Sequence, residues 1–168
     1  MTYGKKDKVD WENWVPTEKA VLVFLWDTEE DNVLLIHKLR GLGQGKINVP
    51  GGRLEQAETW AQAAVRETRE ETHLNISNLE DCAEHKFQFA DGYALLVKAF
   101  LAYQWEGIPT DTEEAAPFWC LRKDIPYEKM WADDILWVPR IFEGHSVRGE
   151  WLFKGDEMLS GSLNWSFR

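Results

Sequence analysis

The sequence predicts an α+β fold, and three observations predict it. Short runs rich in branched and aromatic residues recur along the chain, as strands do. Only two regions read as helical, one near residue 65 and one near residue 137. The chain closes on a strand pair, Arg148 to Lys154 and Glu157 to Phe167, folded through Gly155-Asp156.

Taken in order, residues 1–16 are polar but carry Trp11 and Trp14, which suits a short arm packed on the body. Ala20 to Trp26 (AVLVFLW) and Val33 to Lys38 (VLLIHK) are strands around an acidic turn at 27–32. Gly41 to Gly45 (GLGQG) is a loop; no helix follows its glycines, which excludes a dinucleotide-binding turn. Lys46 to Val49 is a short strand. Gly51-Gly52 after Pro50 reads as a tight turn where backbone can approach a ligand. Thr59 to Thr72 has no Gly or Pro and is rich in Ala, Glu, Gln and Arg, so it is helical. Glu84 to Phe89 and Tyr93 to Tyr103 pair across Asp91-Gly92. Residues 107–116 form a loop, and Phe118 to Leu121 a strand. A short helix starts at Asp124-Ile125-Pro126 and a second spans Ala132 to Phe142. No repeat or linker interrupts this order, so 1–168 is expected to be one domain.

The composition narrows the partners. A net charge of −10, with no basic stretch, argues against a nucleic acid polymer as ligand. No apolar run approaches the length of a membrane span. Cys82 and Cys120 are too few for a disulfide framework, so reduced thiols in a cytoplasmic protein are expected. Ten Trp among 168 residues supply more flat apolar surface than a core of this size ordinarily holds. One or two of them are therefore candidate ligand platforms.

The chemistry concentrates in Gly52 to Leu74. At about 100° per residue, Glu67, Glu70 and Glu71 share one helix face. Like charges three and four apart destabilise a bare helix, and hard oxygen ligands of this kind suit Mg²⁺ or Mn²⁺. Ala61, Val65 and Thr68 lie opposite, small enough to pack on a sheet. A merely solvated acidic helix is the alternative. Gly52, Glu58, Arg66, Glu67, Glu70 and Glu71 nevertheless stand at the spacing of a Nudix box: Gly, five residues, Glu, seven residues, then Arg-Glu-x-x-Glu-Glu. Average residue usage matches that pattern by chance about once in 10⁵ chains of this length. The resemblance to the Nudix hydrolases implies an α/β/α sandwich with a mixed central sheet, and a divalent metal site that cleaves a diphosphate linkage. It implies metal ligation by Glu67, Glu70, Glu71 and a carbonyl at Gly52. It also implies a structural salt bridge between Arg66 and Glu58. His73 stands where the box has Gly; it would take the left-handed helix cap at a modest stability cost.

Outside the box, residues 38–48 (KLRGLGQGKIN) and 126–134 (PYEKMWADD), followed by Trp137 and Pro139, resemble the animal-type 8-oxo-dGTP diphosphatases. So does the closing Gly149 to Phe153. That resemblance implies Asn48, Asp133 and Asp134 as hydrogen-bonding groups to a purine, Trp131 as a stacking platform and Phe87 as the opposite wall. It gives Glu114 as a further metal-binding or catalytic glutamate beside Glu67, Glu70 and Glu71. Lys38 and Arg53 are the nearby cations for the phosphates. Two adjacent carboxylates in a closed pocket resist double ionisation, so one could donate to a purine while the other accepts. The bland alternatives are that Asp133-Asp134 caps the next helix and that Trp131 is core. Leu42 replaces an aromatic and Ala132 a Pro, so one pocket wall should differ. The expected protein is thus a monomeric, cytoplasmic hydrolase of oxidised purine nucleoside triphosphates. Another Nudix substrate (ADP-ribose, a dinucleoside polyphosphate, an RNA 5′ end) is the alternative, and a non-catalytic nucleotide-binding module a more distant one.

Overall fold

A strand with apolar residues on both sides must be covered on both faces, and Glu18–Asp27 (β2) is such a strand. Val21, Val23 and Leu25 turn to one face and Phe24 to the other, all fully or almost fully buried. The computed structural model, which describes residues 1–168, covers these faces with one helix each. Trp60–Thr72 (α1) packs Ala63 and Ala64 against Val21, Val23, Leu25 and Leu34. Asp134–Phe142 (α2) packs Trp137, Val138 and Ile141 against Phe24, Leu35 and Leu101. Each fully buried side chain of this size contributes about 1.5–3 kcal/mol.

The remaining strands are Thr2–Gly4 (β1), Asn32–Lys38 (β3), Ile47–Asn48 (β4), Gly51–Arg53 (β5), Asn75–Phe89 (β6), Ala94–Glu106 (β7), Ala115–Leu121 (β8), His145–Lys154 (β9) and Glu157–Phe167 (β10). They make one mixed sheet in the order β1-β10-β9-β6-β7-β2-β3-β4, with β5 beside β2 and β8 beside β3. β2 runs parallel to β7, and β6 parallel to β9; the other pairs are antiparallel. This is the α/β/α sandwich that the sequence implied.

Several local expectations change. Gly51-Gly52 is not a turn but the strand β5, with Val21 opposite Gly52 and Leu22 opposite Gly51. Glycine is required there for lack of space: a Cβ on Gly51 would strike the Val21 carbonyl, and one on Gly52 the Glu67 carboxylate. β6 begins at Asn75 rather than Glu84, because a register shift between Asp81 and Ala83 reverses the inside-outside alternation and hides its first half. β8 takes in residues 115–117, including Pro117, which an edge strand tolerates. No helix starts at Asp124; 3₁₀ turns at Arg122–Asp124 and Tyr127–Lys129 flank Ile125-Pro126, where proline lacks a donor. α2 starts at Asp134, two residues later than expected. On α1, Ala61 is exposed; the buried stripe is Ala63, Ala64, Glu67, Thr68, Glu71 and Thr72, so two of the glutamates belong to the packed face.

Candidate active site

The site grows from the start of α1. Thr59 caps the helix reciprocally with Gln62, the Thr59 hydroxyl accepting from the Gln62 amide at 3.1 Å and Gln62 Oε1 from the Thr59 amide at 3.0 Å. One turn on, the Arg66 guanidinium gathers the surrounding carboxylates. It donates to Glu58 through Nε at 2.6 Å and Nη2 at 2.9 Å, to Glu67 at 2.8 Å and to Glu70 at 3.2 Å. Its Nη2 also donates to the Arg53 carbonyl at 3.0 Å. This ties loop, β5 and helix together, and holds the Glu58 carboxyl down to about 2.

Glu67 and Glu71 are buried beneath β5. Burial pushes Glu71 up to about 7, against the opposing pull of Lys38 and the Gly51 amide, which donates to Glu71 Oε1 at 3.0 Å. Burial raises Glu67 as well, with Arg66 opposing. Glu71 Oε2 has no partner although it is buried. A buried carboxylate oxygen without a donor is a cost that a cation relieves, so the donor set fits a hard divalent ion. No three acidic side chains converge closely enough to hold an ion between them. Glu70 is half exposed and turned to Arg66. Glu114 accepts from Arg40 Nη2 at 2.9 Å, and Glu113 lies 3.6 Å from the same guanidinium.

A cavity of about 870 Å³ opens beside Glu67, Glu70 and Glu114, with Glu71 buried behind its lining. Lys38, Arg40, Asn48, Arg53, Glu67, Glu70, Phe87, Glu114, Trp131, Asp133 and Asp134 all line it, and Leu42 stands at its edge, half exposed. Arg53 is engaged elsewhere, donating to both oxygens of Glu18 at 3.1 Å. Asn48 Oδ1 accepts from the Val49 amide at 2.8 Å. Trp131 is set edge-on to Phe153 and Phe89, with Lys46 Nζ 5.3 Å from its ring centre.

Asp133 and Asp134 lie at the far end, 1% and 5% exposed. The capping alternative fails. Asp133 already has helical backbone angles, and its side chain bonds no helix amide. Its Oδ2 instead accepts from the Trp137 indole at 2.8 Å. Asp133 Oδ1 and Asp134 Oδ2 have no partner. Burial pushes Asp133 up to about 6, and burial together with the Asp133 charge raises Asp134 well above the carboxylate range.

Sequence reasoning missed Arg40, Lys46 and Trp137. Trp137 was legible in principle, since it follows Asp133 by four residues and so meets it on a helix.

A deep cavity with buried acids at both ends, one set on a glycine-strand-and-helix clamp, defines a Nudix-type hydrolase fold. Residues 16–141 match the model of the NUDIX domain, and the chain belongs to that family. It is 36% identical over 140 residues to the oxidized purine nucleoside triphosphate hydrolase of Danio rerio, covering 83% of this chain and 90% of that one. The Mus musculus protein of the same name is 34% identical over 137 residues, covering 80% and 88%. The 8-oxo-dGTP diphosphatase of Escherichia coli K12 is 32% identical over 74 residues, 44% of this chain and 57% of that one. Among solved structures, a MutT protein from Bacillus halodurans superposes with a TM-score of 0.77 at 24% identity, covering 88% of this chain and 97% of that one. Nudix hydrolases generally use divalent metal ions. No helix here is long and apolar enough to cross a membrane.

Proposed function

We propose that this protein hydrolyses oxidised purine nucleoside triphosphates to the monophosphate and pyrophosphate, clearing them from the nucleotide pool. The observation that carries this reading is the buried pair Asp133 and Asp134, each with an oxygen lacking a partner, lining the same cavity as Glu67 and Glu70. Such groups select a ligand that completes them, because the wrong edge leaves a buried polar group unpaired. Burial raises the proton affinity of both carboxyls, and two adjacent buried carboxylates that resist double ionisation would share a proton. The pair therefore both donates and accepts, as a purine edge bearing an oxo group and N–H groups requires.

Asn48 adds its amide N–H groups at one side of the base. Trp131 supplies a stacking face, worth about 1–3 kcal/mol per base, and Phe87 the opposite wall. Lys38 faces the phosphates; Arg53 would join it only by leaving Glu18. Glu67, Glu70, Glu71 and Glu114, with the Gly52 carbonyl, would hold Mg²⁺ or Mn²⁺. The ion would neutralise phosphate oxygens and stabilise the charge that builds during displacement. One of Glu67, Glu70, Glu71 and Glu114 would accept the proton of the attacking water. Glu114 lines the cavity, while Glu71, with its proton affinity raised to about 7, lies fully buried behind the lining. The two relatives named above as oxidized purine nucleoside triphosphate hydrolases support the substrate class. We take the protein to act on free nucleotides as a cytoplasmic monomer.

The test is kcat/KM with Mg²⁺ for 8-oxo-dGTP, 2-hydroxy-dATP, dGTP, dATP and ADP-ribose. A strong preference for an oxidised purine is expected. Equal rates on the ordinary nucleotides, or activity confined to ADP-ribose, would sink the substrate assignment.

A further inference from the structure

His85 is a fully buried histidine that the chemistry above does not use. Its Nδ1 accepts a hydrogen bond from the Trp151 indole at 3.0 Å. An indole N–H only donates, so Nδ1 is unprotonated and the ring proton sits on Nε2. Nε2 is buried without a partner. Leaving that donor unsatisfied costs about 1–3 kcal/mol. An apolar side chain at 85 with Phe at 151 would fill the strand without that penalty, so stability does not explain the pair.

Room for the pair is specifically kept. A Cβ at Gly149 would meet both the Trp151 indole and His85 Nδ1, and a Cβ at Gly161 would meet the Trp151 ring. The other side of His85 lies against Trp137, ring centres 4.3 Å apart. Trp137 is also fixed edge-on by Phe24, with ring centres 5.6 Å apart, and its indole N–H holds Asp133 Oδ2. Two residues beyond His85 on β6, Phe87 lines the cavity.

We infer that His85 is a positioning residue for base recognition: locked by Trp151, it sets the plane of Trp137 and so keeps Asp133 Oδ1 available to the purine. Burial drives the His85 pKa down to about 3, so the ring stays neutral through the working range and the device does not switch with pH. The inference rests on Asp133 reading the base.

Three variants test it: His85→Leu removes the acceptor, His85→Asn restores one at the Nδ1 position, and Trp151→Phe removes the donor if His85→Leu does not fold. Two readouts separate the inference from the substrate assignment. The first is the indole N–H resonance of Trp137 in the ligand-free protein, which reports its bond to Asp133 whatever the substrate. It should move in His85→Leu and Trp151→Phe, and return towards wild type in His85→Asn. The second is kinetic. KM for the best purine triphosphate should rise about tenfold in His85→Leu and Trp151→Phe, kcat should stay within about twofold, and discrimination among purines should shrink. His85→Asn should recover most of the KM. An unmoved Trp137 resonance, an unchanged KM and purine ratio, or an Asn variant no better than Leu would overturn the role of His85. Loss of any oxidised-purine preference in the wild type itself would overturn the substrate assignment instead, and the Trp137 resonance would still decide the relay.

Discussion

Glu71 pairs one satisfied oxygen, on the Gly51 amide, with one buried and bare. Its proton affinity is raised from 4.5 to about 7, so in this window the folded chain binds more protons than the unfolded one. Stability of the metal-free protein must then fall as pH rises from about 4.5 to 7, by about 3 kcal/mol from this group. Asp133, raised from 3.8 to about 6, acts in the same direction. Urea midpoints recorded with a chelator from pH 4.5 to 8 should show this decline, and Mg²⁺ should reverse it at the upper end. Glu71→Gln should flatten the profile, raise metal-free stability at pH 8 and lower kcat by at least about 100-fold. A steep profile persisting in that variant would mean that other groups carry the effect. At the opposite end of the cavity, Asp133→Asn or Asp134→Asn should leave kcat within a few fold but erase most discrimination between oxidised and ordinary purines. Unchanged ratios would remove both residues from the pocket.

At the scale of elements, α1 is the part most legible in the sequence. Its helical span follows from its composition, and the Arg66 clamp on Glu58 and the left-handed end at His73 (φ 64°) from the resemblance to the Nudix box, while the Thr59–Gln62 capping box went unread. His73→Gly should stabilise the protein by about 0.5–1 kcal/mol, since glycine takes that conformation without a Cβ penalty; a lower Tm would show that the imidazole has work of its own. Gly51 and Gly52 were harder to read. Their sequence says backbone freedom, whereas the structure uses them for closeness, to Val21 on one side and Glu67 on the other. Gly52→Ala should therefore displace the Glu67 carboxylate and cost far more activity than stability, which parallel kcat and melting measurements would separate. The first half of β6 was illegible for a different reason: one extra residue near Cys82 breaks a period-two pattern that is readable only while unbroken. Base-site residues drawn from residues 38–48 and 126–134 line one cavity, yet the hold of Trp137 on Asp133 and the burial of His85 needed packing to be visible.

At the scale of the molecule, the cavity is walled by segments far apart in the chain, from β2, β6 and the start of α2, so its geometry depends on the whole sheet being assembled. The N-terminal arm takes part in that assembly. Tyr3 stacks on Trp151 with ring centres 6.1 Å apart, Ser160 donates to Asp7 at 2.8 Å, and the Trp14 indole donates to Gln88 at 2.9 Å. Deleting residues 1–16 should lower Tm by several degrees, about 2–4 °C per kcal/mol lost in a domain of this size, and a melting curve identical to wild type would show the arm to be ornamental. β1 finds its only partner in β10, Thr2 opposite Ser162, and the Met1 ammonium donates to the Leu163 carbonyl at 2.8 Å. Both anchorages of the arm, Met1 on Leu163 and Trp14 on Gln88, join residues 74 positions or more apart, so docking it closes long loops and should be a late, slow step of folding.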